Sequence, residues 1–92
     1  MLLITGSARP ASDARERLVA AAREITAATQ GDPGCTLYQF GLSLDGNVIV
    51  SVELWRDQAA LDAHMSHEHT QRFLSALDGL IDGEPVMQQT EL

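Results

Sequence analysis

The chain has 92 residues, room for one domain over 1–92, and its 45% hydrophobic and 21% charged residues are those of a globular protein and not of a disordered tail. Thirteen acidic residues oppose six basic ones, for a net charge of −7. The six are all arginines (Arg9, Arg15, Arg17, Arg23, Arg56 and Arg72) and form no basic stripe, so nucleic acid and anionic membranes are poor partners. Apolar runs such as Val48 to Val52 are far too short to span a bilayer, and no basic-then-apolar leader opens the chain. Cys35 is the sole cysteine, which allows no internal disulfide and fits a reducing cytoplasm.

Size adds a constraint. A core this small barely offsets the cost of ordering the chain, and such chains often hide apolar surface in a partner, so a homo-oligomer is expected.

Met1 to Ser7 is short and apolar, with Gly6 and Pro10 closing it, and reads as a first strand. Ser12 and Asp13 offer N-caps for a helix, and Asp13 with Glu16 has capping-box spacing. Ala14, Leu18, Ala21, Ile25 and Ala28 then recur at helical spacing until the breaker Gly31-Asp32-Pro33-Gly34. A hairpin follows, with Tyr38, Phe40, Leu42 and Leu44 on one arm and Val48, Val50, Val52 and Leu54 on the other, around Asp45-Gly46-Asn47. A two-residue loop would pair Ser43 with Val48 and put the two apolar sets on opposite faces, whereas a three-residue loop would place Leu44 opposite Val48, Phe40 opposite Val52 and Tyr38 opposite Leu54, keeping one face wholly apolar, and is the one expected. The other face would then be mixed, with Leu37 beside Trp55, Gln39 beside Glu53 and Gly41 beside Ser51.

Asp57 can cap a short helix through Ala60, Leu61 and His64. Ser66 can break it and cap a second one bearing Phe73, Leu77, Leu80 and Ile81. Asp82-Gly83-Glu84-Pro85 would stop that helix, leaving Val86 to Leu92 as a last strand. The order is α+β, a ferredoxin-like β-α-β-β-α-β arrangement with an antiparallel sheet and the second helix broken in two. One sheet with helices on one side leaves its other face in need of cover, which a second copy of the chain would supply.

His64, His67 and His69 with Glu68 are ligand types, but their spacing is poor for one helix face and no other group completes a set, so no metal is expected. Cys35 has no basic neighbour to activate it and reads as a small hydrophobe. No nucleophile elbow, phosphate loop or dinucleotide fingerprint occurs, so no cofactor is implied. Trp55 is either packing at a strand end or an aromatic wall for a planar ligand. Glu53, in mid-strand, is either an exposed edge residue or, if enclosed, a proton acceptor with a raised pKa.

From Gly34 to Leu80 the chain resembles the antibiotic-biosynthesis monooxygenase family. The resemblance rests on Gly34-Cys35-x-x-Tyr38, on a strand ending Glu53-Leu54-Trp55-Arg56-Asp57, and on Ala60-Leu61-x-Ala63-His64 followed by His69. It implies a dimeric α+β barrel, in which two ferredoxin-like units pack their sheet faces together. It also implies cofactor-independent oxidation of a small phenol or quinol by O₂ in an apolar pocket. His64, Glu53 and His69 would then be the catalytic acid/base candidates. Trp55, Tyr38, Ser51 and Arg72 would be the substrate-binding ones. Ser51 stands where the polyketide oxygenases carry Asn. Leu74 occupies the haem-ligand position of the haem-degrading members and no Asn lies near Thr5 and Gly6, which argues against haem chemistry. Thr70 replaces a bulky aromatic, and only Arg56 and Arg72 could meet a phosphate. The alternative is a non-catalytic member, or one of different activity, that binds a small molecule or acts in stress response.

Overall fold

The computed structural model describes residues 1–92. Its order is β1 (Leu2–Pro10), α1 (Arg15–Thr29), β2 (Cys35–Leu42), β3 (Ile49–Trp55), α2 (Gln58–Ser66), α3 (Glu68–Leu77) and β4 (Ile81–Glu91). The strands form one antiparallel sheet in the order β2-β3-β1-β4. This is the ferredoxin-like arrangement that the sequence pattern predicts. No helix is long and apolar enough to cross a membrane.

The helices gather on one face of the sheet because each presents one apolar stripe. Helix α1 buries Leu18, Ala22, Ile25 and Thr29, at helical spacing, and α2 buries Ala60, Leu61 and His64. Two clusters result. One joins Leu2, Ile4, Tyr38 and Trp55 of the sheet to Ile25, Ala60 and Leu61; the other joins Ala14, Leu18 and Ala22 to Ile49 and Leu80. Asp57 caps α2 as expected, its carboxylate accepting the Ala60 N–H at 2.9 Å.

The hairpin register differs from the expected one. Tyr38 lies opposite Glu53, Phe40 opposite Ser51 and Leu42 opposite Ile49, and Leu44 is fully exposed in the loop. The turn decides this. The Ser43 hydroxyl donates to Asp45 Oδ1 at 2.7 Å and accepts the Val48 N–H at 3.0 Å, while the Ser43 N–H donates to the Val48 carbonyl at 2.8 Å. That network pairs Ser43 with Val48 and leaves four residues in the loop. The apolar-face argument lacked force because both faces carry apolar residues: Tyr38, Phe40, Ile49 and Trp55 turn to the helices, and Val50, Val52 and Leu54 turn away.

Three boundaries also move. Helix α3 ends at Leu77 and β4 begins at Ile81, so Leu80 and Ile81 are not helical and Gly83, at φ +77°, lies inside a strand. Gly79, at φ +85°, is the stop signal, since a glycine enters the left-handed region without steric cost. Neither Ser12 nor Asp13 caps α1. Asp13 adopts φ +62° in the preceding turn, and Ala14 takes the cap position without a side-chain bond. The α2–α3 break falls at His67, whose extended ψ of 147° interrupts the helix; the Ser66 hydroxyl donates back to the Asp62 carbonyl and caps nothing.

Candidate functional site

A cavity of about 230 Å³ lies between the helix-side face of the sheet and helices α2 and α3. Tyr38 and Phe40 of β2 and Ser51 and Glu53 of β3 line its floor, and His64, Met65, Phe73 and Leu74 close it from above. The observed register puts the two aromatics and the two polar residues on one surface; the expected one would have separated them. Gly6 of β1 lies opposite Ser51 and Met87, and a Cβ there would stand 2.6 Å from Ser51 Oγ and 2.7 Å from Met87 Sδ, so glycine keeps this floor open.

The rings are interlocked. Tyr38 meets Phe40 edge-on at 5.6 Å and His64 at 5.4 Å between centroids, and Phe40 meets Phe73 at 5.6 Å. Trp55, expected from the resemblance as a substrate-binding residue, is fully buried and does not line this cavity. The reason is its position at the strand end, against the α2 core. It lies behind His64 at 4.6 Å, and its indole N–H donates to Glu53 Oε1 at 2.9 Å. Arg72 likewise faces outward, paired with Glu24 and Glu68 at 3.0 and 3.4 Å, and lies outside this cavity. Tyr38, Ser51, Glu53 and His64 are the expected residues that the cavity gathers.

Electrostatics singles out Glu53. Burial pushes its carboxyl above the usual range, and the Trp55 indole and the His64 ring only partly oppose this. The Tyr38 phenol is likewise pushed up, by burial and by the charge of Glu53. Burial, with Asp32 and Glu53 nearby, also raises the Cys35 thiol, which keeps it unreactive.

Asp32 is the residue the sequence reading missed. It appeared only as part of a breaker turn, yet its Oδ2 stands 2.9 Å from His64 Nδ1 and 3.0 Å from His69 Nε2. The turn is delivered by Gly34, at φ +80°, whose Cβ would come within 2.6 Å of Ala60 Cβ, and whose carbonyl accepts the Arg56 N–H at 2.8 Å. The close approach that glycine permits docks the turn on the start of α2. Burial alone would raise the Asp32 carboxyl, but the hydrogen bonds to His64 and His69 outweigh it and hold it below the usual range. His69 therefore acts on Asp32 rather than on the cavity, and His67 stacks on it at 3.9 Å. Asp32, His64 and His69 also form a donor set that a transition ion could use, their ligand atoms lying within 4.8 Å of one another. No local signal joins Asp32 to a histidine thirty-two positions away; only the docked turn does.

The comparisons fit this architecture. The family model described as antibiotic biosynthesis monooxygenase matches residues 1–76. The solved structure of Rv0793 from Mycobacterium tuberculosis is similar over 99% of this chain and 93% of its own, with 24% identity and a TM-score of 0.94. That of PA3566 from Pseudomonas aeruginosa is similar over 97% and 90%, with 27% identity and a TM-score of 0.89. A solved antibiotic biosynthesis monooxygenase shares 22% identity over 100% and 98% of the chains, with a TM-score of 0.92. Among curated proteins, the uncharacterized protein sll1783 of Synechocystis is 25% identical over 81 residues; the match spans 87% of this chain but 55% of that protein. With the family model covering most of its length, the chain belongs to the antibiotic biosynthesis monooxygenase family.

Proposed function

We propose that the protein is a monooxygenase that oxidises a small phenolic or quinol-type substrate with O₂ in this cavity, without a prosthetic group. The observation that supports it best is the cavity itself: an apolar, aromatic-lined space holding a buried carboxylate and a buried imidazole. Its 230 Å³ falls below the about 300–1,000 Å³ usual for ligand pockets, which favours a small ring system.

Tyr38, Phe40 and Phe73 would hold the ring. His64 or Glu53 would accept the proton released when the substrate ionises, and the Ser51 hydroxyl would donate to the developing oxyanion. The electron-rich substrate anion then reduces O₂. For a ring methylene this gives a carbonyl carrying one oxygen atom, and the other leaves as water. Water exclusion by the apolar lining favours the proton transfer by strengthening every electrostatic contact inside.

The working form would be a homodimer. Val50 and Val86, which face away from the helices, remain well exposed, and a second sheet packed on them would cover that surface. Sedimentation at micromolar concentration should show twice the chain mass; a stable 9.9 kDa species would contradict this.

Oxygen uptake with a panel of hydroquinones and anthrones tests the activity. Wild type should consume one O₂ per product, and His64→Gln or Glu53→Gln should slow turnover without preventing folding. No uptake with any member would sink the proposed reaction for these substrates, and leave the runner-up of a binding module.

A further inference from the structure

We propose that Asp32 is a positioning residue for His64: it holds the imidazole proton on Nδ1 and leaves Nε2 as the nitrogen that accepts the substrate's proton. This rests on the proposed proton abstraction in the cavity and adds to it a residue that does not line the cavity.

The argument begins with what a carboxylate can do. Ionised, it only accepts hydrogen bonds, so each nitrogen facing Asp32 Oδ2 must carry a hydrogen. A neutral imidazole has one N–H. With both rings neutral, His64, at 2.9 Å through Nδ1, is bare at Nε2, and His69, at 3.0 Å through Nε2, is bare at Nδ1. The two donors come from different helices and converge on one oxygen, which fixes the carboxylate and keeps it ionised in a site where His64 is buried and Asp32 only partly exposed.

The ring is held on its other sides as well. Trp55 packs over it at 4.6 Å and Tyr38 meets its edge at 5.4 Å. The Thr70 hydroxyl is farther away, 3.3 Å from Nδ1 and 3.5 Å from Nε2, and does not displace Asp32. The remaining buried carboxylate, Glu53, is engaged by the Trp55 indole. When the substrate ionises, its proton passes to Nε2 and its electron pair stays on the substrate. The imidazolium that forms keeps its Nδ1–H on the Asp32 anion, which stabilises it at the moment its charge appears.

A bound ion is the competing account of the same three residues. It would need both nitrogens unprotonated toward the metal, the opposite of what two N–H donors to Asp32 require, so the tautomer separates the two accounts.

Long-range ¹H–¹⁵N spectra of the full chain with ¹⁵N-labelled histidine, above the range in which imidazoles titrate, read the tautomer directly. Wild type should show His64 protonated at Nδ1, and Asp32→Ala should shift it toward the Nε2–H form that free imidazole side chains favour. A purely structural role would change stability but leave the tautomer alone. An Nε2–H His64 in wild type overturns the proposal without any variant, as does an unchanged tautomer in Asp32→Ala. Stoichiometric Zn²⁺ binding in calorimetry that is lost in His69→Ala also overturns it. With a turned-over substrate, Asp32→Ala should lower kcat by on the order of 10²-fold or more with little change in KM. The expected tautomers with no oxygen uptake by wild type would support the positioning and refute the oxygenase reading alone.

Discussion

Trp55→Phe probes how the fold keeps a carboxylate in an apolar site. The indole N–H is the donor on Glu53 Oε1, at 2.9 Å, and both side chains are buried. A hydrogen bond to a buried charge contributes about 1.5–3 kcal/mol, and shrinking the indole to a phenyl leaves a void worth about 1 kcal/mol more. The expected loss at neutral pH is therefore about 2.5–4 kcal/mol, a large part of the roughly 5–15 kcal/mol that holds a domain together. The pH dependence separates the two parts. Burial already raises the Glu53 carboxyl above 4.5, and the indole opposes that rise, so its removal raises the carboxyl further. The folded chain then holds this proton more tightly than the unfolded chain, and stability falls as pH climbs from 4.5 through the folded pKa. Near pH 4 mainly the void cost of about 1 kcal/mol should remain. Urea unfolding followed by far-UV circular dichroism between pH 4 and 8 measures this, with Glu53→Gln as the background that keeps an acceptor but no charge. A Trp55→Phe penalty that is equal at pH 4 and pH 8, or that keeps its pH dependence in Glu53→Gln, would refute the reasoning.

Leu44 stands fully exposed in the hairpin loop, so Leu44→Ser should change unfolding free energy by less than about 0.5 kcal/mol; a loss of 2 kcal/mol or more would restore the three-residue-loop register. Gly6→Ala should displace the Ser51 hydroxyl and the Met87 thioether, both ends of movable side chains, at a cost of only about 1 kcal/mol. Binding of an aromatic ligand, followed by calorimetry, should nonetheless weaken at least tenfold as the floor closes; unchanged affinity would place the ligand elsewhere. The Thr29 hydroxyl is buried without a partner, so Thr29→Val should raise the urea midpoint, by about 1 kcal/mol of added stability, and a lower midpoint would reveal an unseen partner.

Local chemistry made much of the fold legible. The helical spacing from Leu18 to Ile25, the Asp57 cap and the alternation around Asp45-Gly46 each report on neighbours a few residues away, and the structure contains each of those elements. The α3–β4 boundary was misplaced because Leu80 and Ile81 continue the helical period; Gly79 carried the stronger signal and Asp82-Gly83 the weaker. The site was legible in part. Glu53 stood out as a polar residue in mid-strand and His64 through the family resemblance, but Trp55 and Arg72 bear on function only through what surrounds them, and that is set elsewhere in the chain.

The sequence by itself determined the order of elements, the helix stripe and the presence of a mid-strand glutamate beside a tryptophan, because those follow from periodicity and turn chemistry. Tertiary structure alone decided which residues meet. The Ser43 side chain, at the base of the hairpin loop, set the register that turns Tyr38 and Phe40 toward Ser51 and Glu53. A glycine without a Cβ let a turn dock closely enough to bring Asp32 to His64. The first is turn chemistry that apolar alternation does not report; the second is a close-range fit between segments distant in the chain, and a pattern read along the chain carries no distance across it.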